Sequence, residues 1–134
     1  MRRFIKFSGI LGFSGVFLGA FGAHGLKTFL QRVDRVETWE TATFYLLVHS
    51  VALLVIGFRS HPRASDVLIE LAGWFWLSGS VLFSGTLYLL CLSGISWLGA
   101  VTPLGGILFL AGWGSLCLAG LNVSKASLAR TKER

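Results

Sequence analysis

The sequence predicts an all-α integral membrane protein: a four-helix bundle with both termini on the cytoplasmic side and a short amphipathic interfacial helix between helices 1 and 2. Three observations carry this. Residues 71–124 form a run of 54 without one Asp, Glu, Lys, Arg or His, and at about 20 apolar residues per span such a run can cross a bilayer twice. The chain of 134 residues is 54% hydrophobic and 13% charged, which leaves a soluble domain too little polar surface to coat its core. Its twelve Lys and Arg residues flank apolar runs instead of forming a basic stripe interleaved with aromatics. That is the placement of topogenic charge and not of a nucleic-acid interface.

The chain reads as a single transmembrane domain, 1–134, with helices at about 7–26, 41–58, 68–92 and 97–121. Arg2, Arg3 and Lys6 precede the first apolar run. A basic start before an apolar segment also describes a signal peptide, but this run exceeds an ordinary h-region of about 7 to 15 residues and further spans follow it. The first span is therefore expected to be retained. Within it Gly12, Gly15, Gly19 and Gly22 recur every three or four residues along one side of a helix, where small residues let another helix approach closely.

The interfacial segment is placed at 26–38. Leu26, Phe29, Leu30, Val33 and Val36 fall within an arc of about 120° at helical spacing, with Lys27, Gln31, Asp34 and Arg35 elsewhere. Trp39 marks re-entry at the headgroup level. The second span ends at a polar break formed by Arg59, His61, Pro62, Arg63 and Asp66, since proline does not continue a helix comfortably. Asp66 and Glu70 then suit the positive end of the third helix. Ser93, Gly94, Ile95 and Ser96 supply the turn to the fourth. A basic tail, 122–134, closes the chain with Lys125, Arg130, Lys132 and Arg134.

Nine of the Lys and Arg residues lie on the side of the N-terminus, the second connection and the tail, and three on the other. By the positive-inside rule both termini face the cytoplasm.

Polar residues inside the spans gather at one expected depth. Counted from Thr41, Tyr45 lies about 6 Å and His49 about 12 Å below the start of the second helix, and Ser84 and Tyr88 lie at similar depths in the third. Thr41, Tyr45 and His49 share one helical face, as do Ser80, Ser84 and Tyr88. Thr102 and Pro103 lie at comparable depth in the fourth helix, and His24 closes the first. The candidate polar cluster is thus His24, Tyr45, His49, Ser84, Tyr88 and Thr102. Two chemistries suit it. One is an interhelical hydrogen-bond network, which lipid demands because it offers no partners. The other is an outward-facing pocket or proton-linked site centred on His49.

No metal or cofactor is expected. His24 and His49 differ in depth by about 8 Å, which does not suit two rings converging on one metal or haem iron. Cys91 and Cys117 lie roughly 28 Å apart in depth, too far for a disulfide. No carboxylate lies deep in a span, so the carboxylate and histidine chains of pumps are missing. No nucleophile, base and acid occur together at a recognisable spacing.

Several stretches resemble a known family. Residues 18–24 read Leu-Gly-Ala-Phe-Gly-Ala-His, 81–88 read Val-Leu-Phe-Ser-Gly-Thr-Leu-Tyr, and 101–113 contain Thr-Pro-Leu-Gly-Gly and end Ala-Gly-Trp. Together with Trp39, Tyr45 and His49 they resemble the small YgdD-like family of uncharacterised bacterial membrane proteins, which has eukaryotic relatives. The resemblance covers nearly the whole chain. It implies a four-helix protein of the bacterial inner membrane with no established activity. Gly105 and Gly106 stand beside Gly12, Gly15, Gly19 and Gly22 as candidate helix-packing glycines.

Two functions from different classes follow. The first is a non-enzymatic protein that packs against a membrane-protein partner or copies of itself, with the bilayer as its surroundings. The second is a small carrier, channel or lipid-binding protein that uses the outward-facing polar cluster.

Overall fold

The computed structural model describes residues 2–58 and 66–132, apart from the side chains of Asp66 and of 123–132. Arg59, His61, Pro62 and Arg63 of the expected polar break lie outside the described residues, as do the side chains of the basic tail. Five helices follow in order: α1 Arg2–Ala23, α2 Lys27–Arg32, α3 Val36–Gly57, α4 Asp66–Ser93 and α5 Leu98–Lys132. No strand occurs among the described residues. Among the described residues four stretches are long and apolar enough to cross a membrane: Arg2–Ala23, Val36–Gly57, Val67–Ser93 and Leu98–Asn122.

The helices pack in sequence order, α1 on α3, α3 on α4 and α4 on α5. The glycine face of α1 meets α3 directly. A methyl group at Gly15 would stand 2.6 Å from the Leu47 side chain, at Gly19 it would stand 3.0 Å from Thr43, and at Gly22 it would overlap the Trp39 indole. Gly12 has more room, 3.6 Å from Ser50. In the α4/α5 pair a glycine comes up against backbone. A methyl at Gly105 would lie 2.6 Å from the backbone nitrogen of Phe83, whereas Gly106 faces open space.

At the N-terminal end α1 also reaches α4. Arg3 pairs with Glu70, its guanidinium lies 5.1 Å from the Trp74 ring centroid, and the buried Phe4 ring meets Trp74 edge-on at 5.7 Å. This puts the first turns of α1 and α4 at one end of the bundle.

The connections from α1 to α3 and from α4 to α5 are short and locally satisfied. After α2, Asp34 adopts φ 55°, a left-handed conformation that Asp tolerates better than most residues, and α3 starts two residues later. The expected interfacial segment is therefore shorter than 26–38: only Lys27–Arg32 form the separate helix, and Val36 and Trp39 belong to α3. Within α2 Leu30 is buried while Phe29, and Val33 just beyond the helix, stay exposed. In the hairpin turn Gly94 takes φ 70° and donates to the Leu90 carbonyl at 3.0 Å, and the Ser93 hydroxyl accepts from Ile95 N–H at 3.2 Å. The outermost helices outrun their expected bounds, since backbone hydrogen bonding does not stop where hydrocarbon does. α1 begins at Arg2, and α5 continues through most of the basic tail to Lys132.

Candidate functional site

His49 is the most constrained polar side chain of the bundle interior. It is 3% exposed, and both ring nitrogens are engaged. Nδ1 lies 2.8 Å from the Tyr45 carbonyl, and Nε2 lies 3.2 Å from the indole nitrogen of Trp113. An indole N–H only donates, so Nε2 accepts and the proton sits on Nδ1. The ring is thereby held as one neutral tautomer. Its face stacks on Phe109 at 3.6 Å with an interplanar angle of 8°, and Trp76 and Trp113 close the side at 6.3 and 6.1 Å. Tyr45 extends the stack through Phe109 and Phe83. Its hydroxyl makes no hydrogen bond to another described residue.

The remaining candidates form separate pairs. The Tyr88 hydroxyl lies 2.8 Å from that of Thr43, and Thr43 lies 3.0 Å from the Trp39 carbonyl. Because threonine has one hydroxyl hydrogen, Tyr88 donates to Thr43 and Thr43 donates onward. Ser84 donates to the Ala42 carbonyl at 2.8 Å, joining α4 to α3. Thr86 and Thr102 meet at 2.9 Å between α4 and α5. Two buried polar atoms lack a partner among the described residues, the Trp76 indole nitrogen and the Ser80 hydroxyl.

The six candidates therefore do not converge on one point. Ser84 and Tyr88 share the outer part of the α3/α4 contact, and Thr102 belongs to the α4/α5 contact. His49 sits deeper. Counted from Val36, where α3 begins, it lies about 20 Å along the helix, level with Trp113 of α5. His24 is exposed in the turn after α1 and touches none of the others. Sequence reasoning missed Phe109, Trp113, Trp76, Thr43 and Thr86, because aromatic and threonine residues in an apolar helix carry no periodic signal of their own.

Among the described residues no group of three or more His, Cys, Asp or Glu is placed to hold a metal ion. Cys91 is buried, with Sγ 3.8 Å from the Arg35 carbonyl, and Cys117 is exposed; both are free.

Residues 18–106 match the family described as protein of unknown function, DUF423. The chain belongs to this family. Three relatives named as UPF0382 membrane proteins align over most of both chains. One from Staphylococcus aureus (strain bovine RF122 / ET3-1) is 40% identical over 119 residues, 89% of this chain and 95% of its own. One from Staphylococcus epidermidis (strain ATCC 12228 / FDA PCI 1200) is 43% identical over 122 residues, 90% and 97%. The third, YwdK of Bacillus subtilis (strain 168), is 38% identical over 122 residues, 90% and 98%. No solved structure matches. The expected resemblance to a small membrane family of unknown function agrees with this membership, and with four candidate spans the protein is a multi-pass membrane protein. The matched segment contains His24, Tyr45, His49, Ser84, Tyr88 and Thr102 and ends at Gly106, before Phe109 and Trp113.

Proposed function

We propose that this protein is a non-enzymatic accessory subunit that packs within a larger membrane assembly, formed with a partner membrane protein or with copies of itself. The observation that carries this reading is the commitment of His49: one nitrogen is spent on Tyr45 and the other on Trp113, leaving no free lone pair or proton to act on a substrate. The pairs Tyr88–Thr43, Ser84–Ala42 and Thr86–Thr102 are likewise spent within the bundle. Donors and acceptors used this way hold helices together in lipid. The outward sides of α4 and α5 support the assembly, since Gly85, Gly106, Gly114 and Gly120 meet nothing within 4 Å and leave room for another helix.

Both termini face the cytoplasm in this reading, from the nine-to-three division of Lys and Arg. Copurification from native membranes in mild detergent tests the subunit role. The expected result is a stable complex larger than the 14.6 kDa chain in its micelle. A monomer that carries a small polar solute, lost on His49→Gln, would favour a carrier instead.

A further inference from the structure

Where α1, α2 and α3 meet, a crevice of about 440 Å³ opens beside the glycine face of α1, within the range of small-molecule sites. Its walls are graded. Lys27, Gln31 and Glu40 stand at one end, and Leu30, Phe44 and Leu47 line the rest, with Gly19 and Gly22 behind. From Glu40 to Leu47 the helix descends about 10 Å, so the gradient runs from the level of α2 into the apolar part of the bundle.

The polar groups of the deeper wall are already used. The Trp39 indole donates to the Leu18 carbonyl at 2.9 Å, and the Thr43 hydroxyl serves Tyr88 and the Trp39 carbonyl. What remains there is hydrocarbon, and Phe44 is 63% exposed beside it. The rim is the opposite. The one ion pair among the described residues is Arg3–Glu70, so Lys27 and Glu40 keep opposite, unneutralised charges on the same crevice.

We propose that this crevice binds a zwitterionic phospholipid, with its phosphate at Lys27, its ammonium at Glu40 and the start of an acyl chain along Leu30, Phe44 and Leu47. A phosphoethanolamine head carries a counter-charge for each of Lys27 and Glu40. A phosphoglycerol head carries only the anion and leaves Glu40 opposed by like charge. The site uses none of the His49 contacts and is independent of the subunit reading.

Native mass spectrometry of the whole protein tests it, after equilibration in detergent with equal amounts of phosphatidylethanolamine and phosphatidylglycerol of identical chains. The ammonium–Glu40 contact is the one that phosphatidylglycerol lacks, and one exposed charge contact of ordinary strength gives roughly a 1.5- to fivefold preference for phosphatidylethanolamine. The double variant K27Q/E40Q is expected to bring the ratio to about one, while R3Q/E70Q, which removes the same charges elsewhere, leaves it unchanged. Equal binding of the two lipids by the wild type, or a preference that survives K27Q/E40Q, overturns the proposal. So does a lipid-free dimer, which would assign the crevice to a second copy. Should K27Q/E40Q fail to fold by circular dichroism, E40Q alone is expected to bring the ratio to about one, while K27Q weakens binding of both lipids without lowering the ratio, and an unchanged ratio in E40Q overturns the proposal.

Discussion

The Trp113 indole donates to Nε2 of His49 across 3.2 Å, tying α5 to α3 through a ring that the Tyr45 carbonyl pins on its other side. Removing the donor while keeping an aromatic ring isolates this contact. Trp113→Phe is expected to lower stability by about 0.6 to 1.7 kcal/mol, the range of interhelical hydrogen bonds in lipid, measured by reversible unfolding in mixed micelles. No loss would mean that the bond contributes nothing.

At His49 itself Gln and Leu are expected to differ. Gln retains a donor and an acceptor but loses the stack on Phe109, worth about 0.5 to 1.5 kcal/mol, so His49→Gln should fold and melt somewhat lower than wild type. His49→Leu also strips Trp113 and the Tyr45 carbonyl of their partner and should cost more. The same unfolding assay ranks the two, and a Leu variant more stable than the Gln variant would contradict the hydrogen-bonded role.

Gly105 and Gly106 are adjacent in sequence and opposite in consequence. A methyl at Gly105 meets the Phe83 backbone at 2.6 to 2.8 Å, and backbone cannot step aside as a flexible side chain can. Gly105→Ala should force α4 and α5 apart at about 1 to 3 kcal/mol. Gly106→Ala meets open space and should be neutral or slightly stabilising, since Ala is the better helix former. Thermal melts of the two variants read this directly.

Much of this architecture is legible in the sequence because charge is so scarce. The hairpin of α4 and α5 follows from an uncharged run too long for one span, and its turn follows from Ser93 and Gly94. The site is legible only in part. His49 stands out as a histidine within an apolar run, but its depth depends on where α3 begins. Glu37 and Glu40 suggest that the span starts after them, yet the helix begins at Val36, and the five extra residues add about 7.5 Å. That shift moves His49 away from Ser84 and Tyr88 and toward Trp76 and Trp113. Its aromatic partners are written in the sequence as ordinary hydrophobic residues, and only the α3–α4–α5 packing brings Phe109 against the ring. His24 shows the converse: its place at the end of α1 suggests a role in the cluster, but the turn leaves it exposed.

The Thr86–Thr102 pair, at 2.9 Å, should behave as one unit. Each Thr→Val change leaves the other hydroxyl without its cross-helix partner, although each threonine also has a carbonyl of its own helix in reach. A double-mutant cycle is expected to give a coupling of about 0.6 kcal/mol. A coupling indistinguishable from zero would leave Thr102 without a part in helix association.

For topology, single cysteines introduced at Ser93 and Ser127 in a variant lacking Cys91 and Cys117 should react with an impermeant thiol reagent from opposite sides of sealed membrane vesicles. Both termini on the cytoplasmic side require Ser93 to label from outside and Ser127 from inside. Labelling of both from one side would break the four-span topology.

The buried polar groups are held to serve helix association, and the tautomer of His49 tests this most directly. Nitrogen-15 NMR of the imidazole in bilayers near neutral pH distinguishes the protonated from the acceptor nitrogen. The expected spectrum shows a neutral ring with the proton on Nδ1 and Nε2 as acceptor, and Trp113→Phe should shift the Nε2 signal alone. A ring protonated on Nε2, or on both nitrogens, would contradict the Trp113 contact and return His49 to the role of a proton-exchanging group.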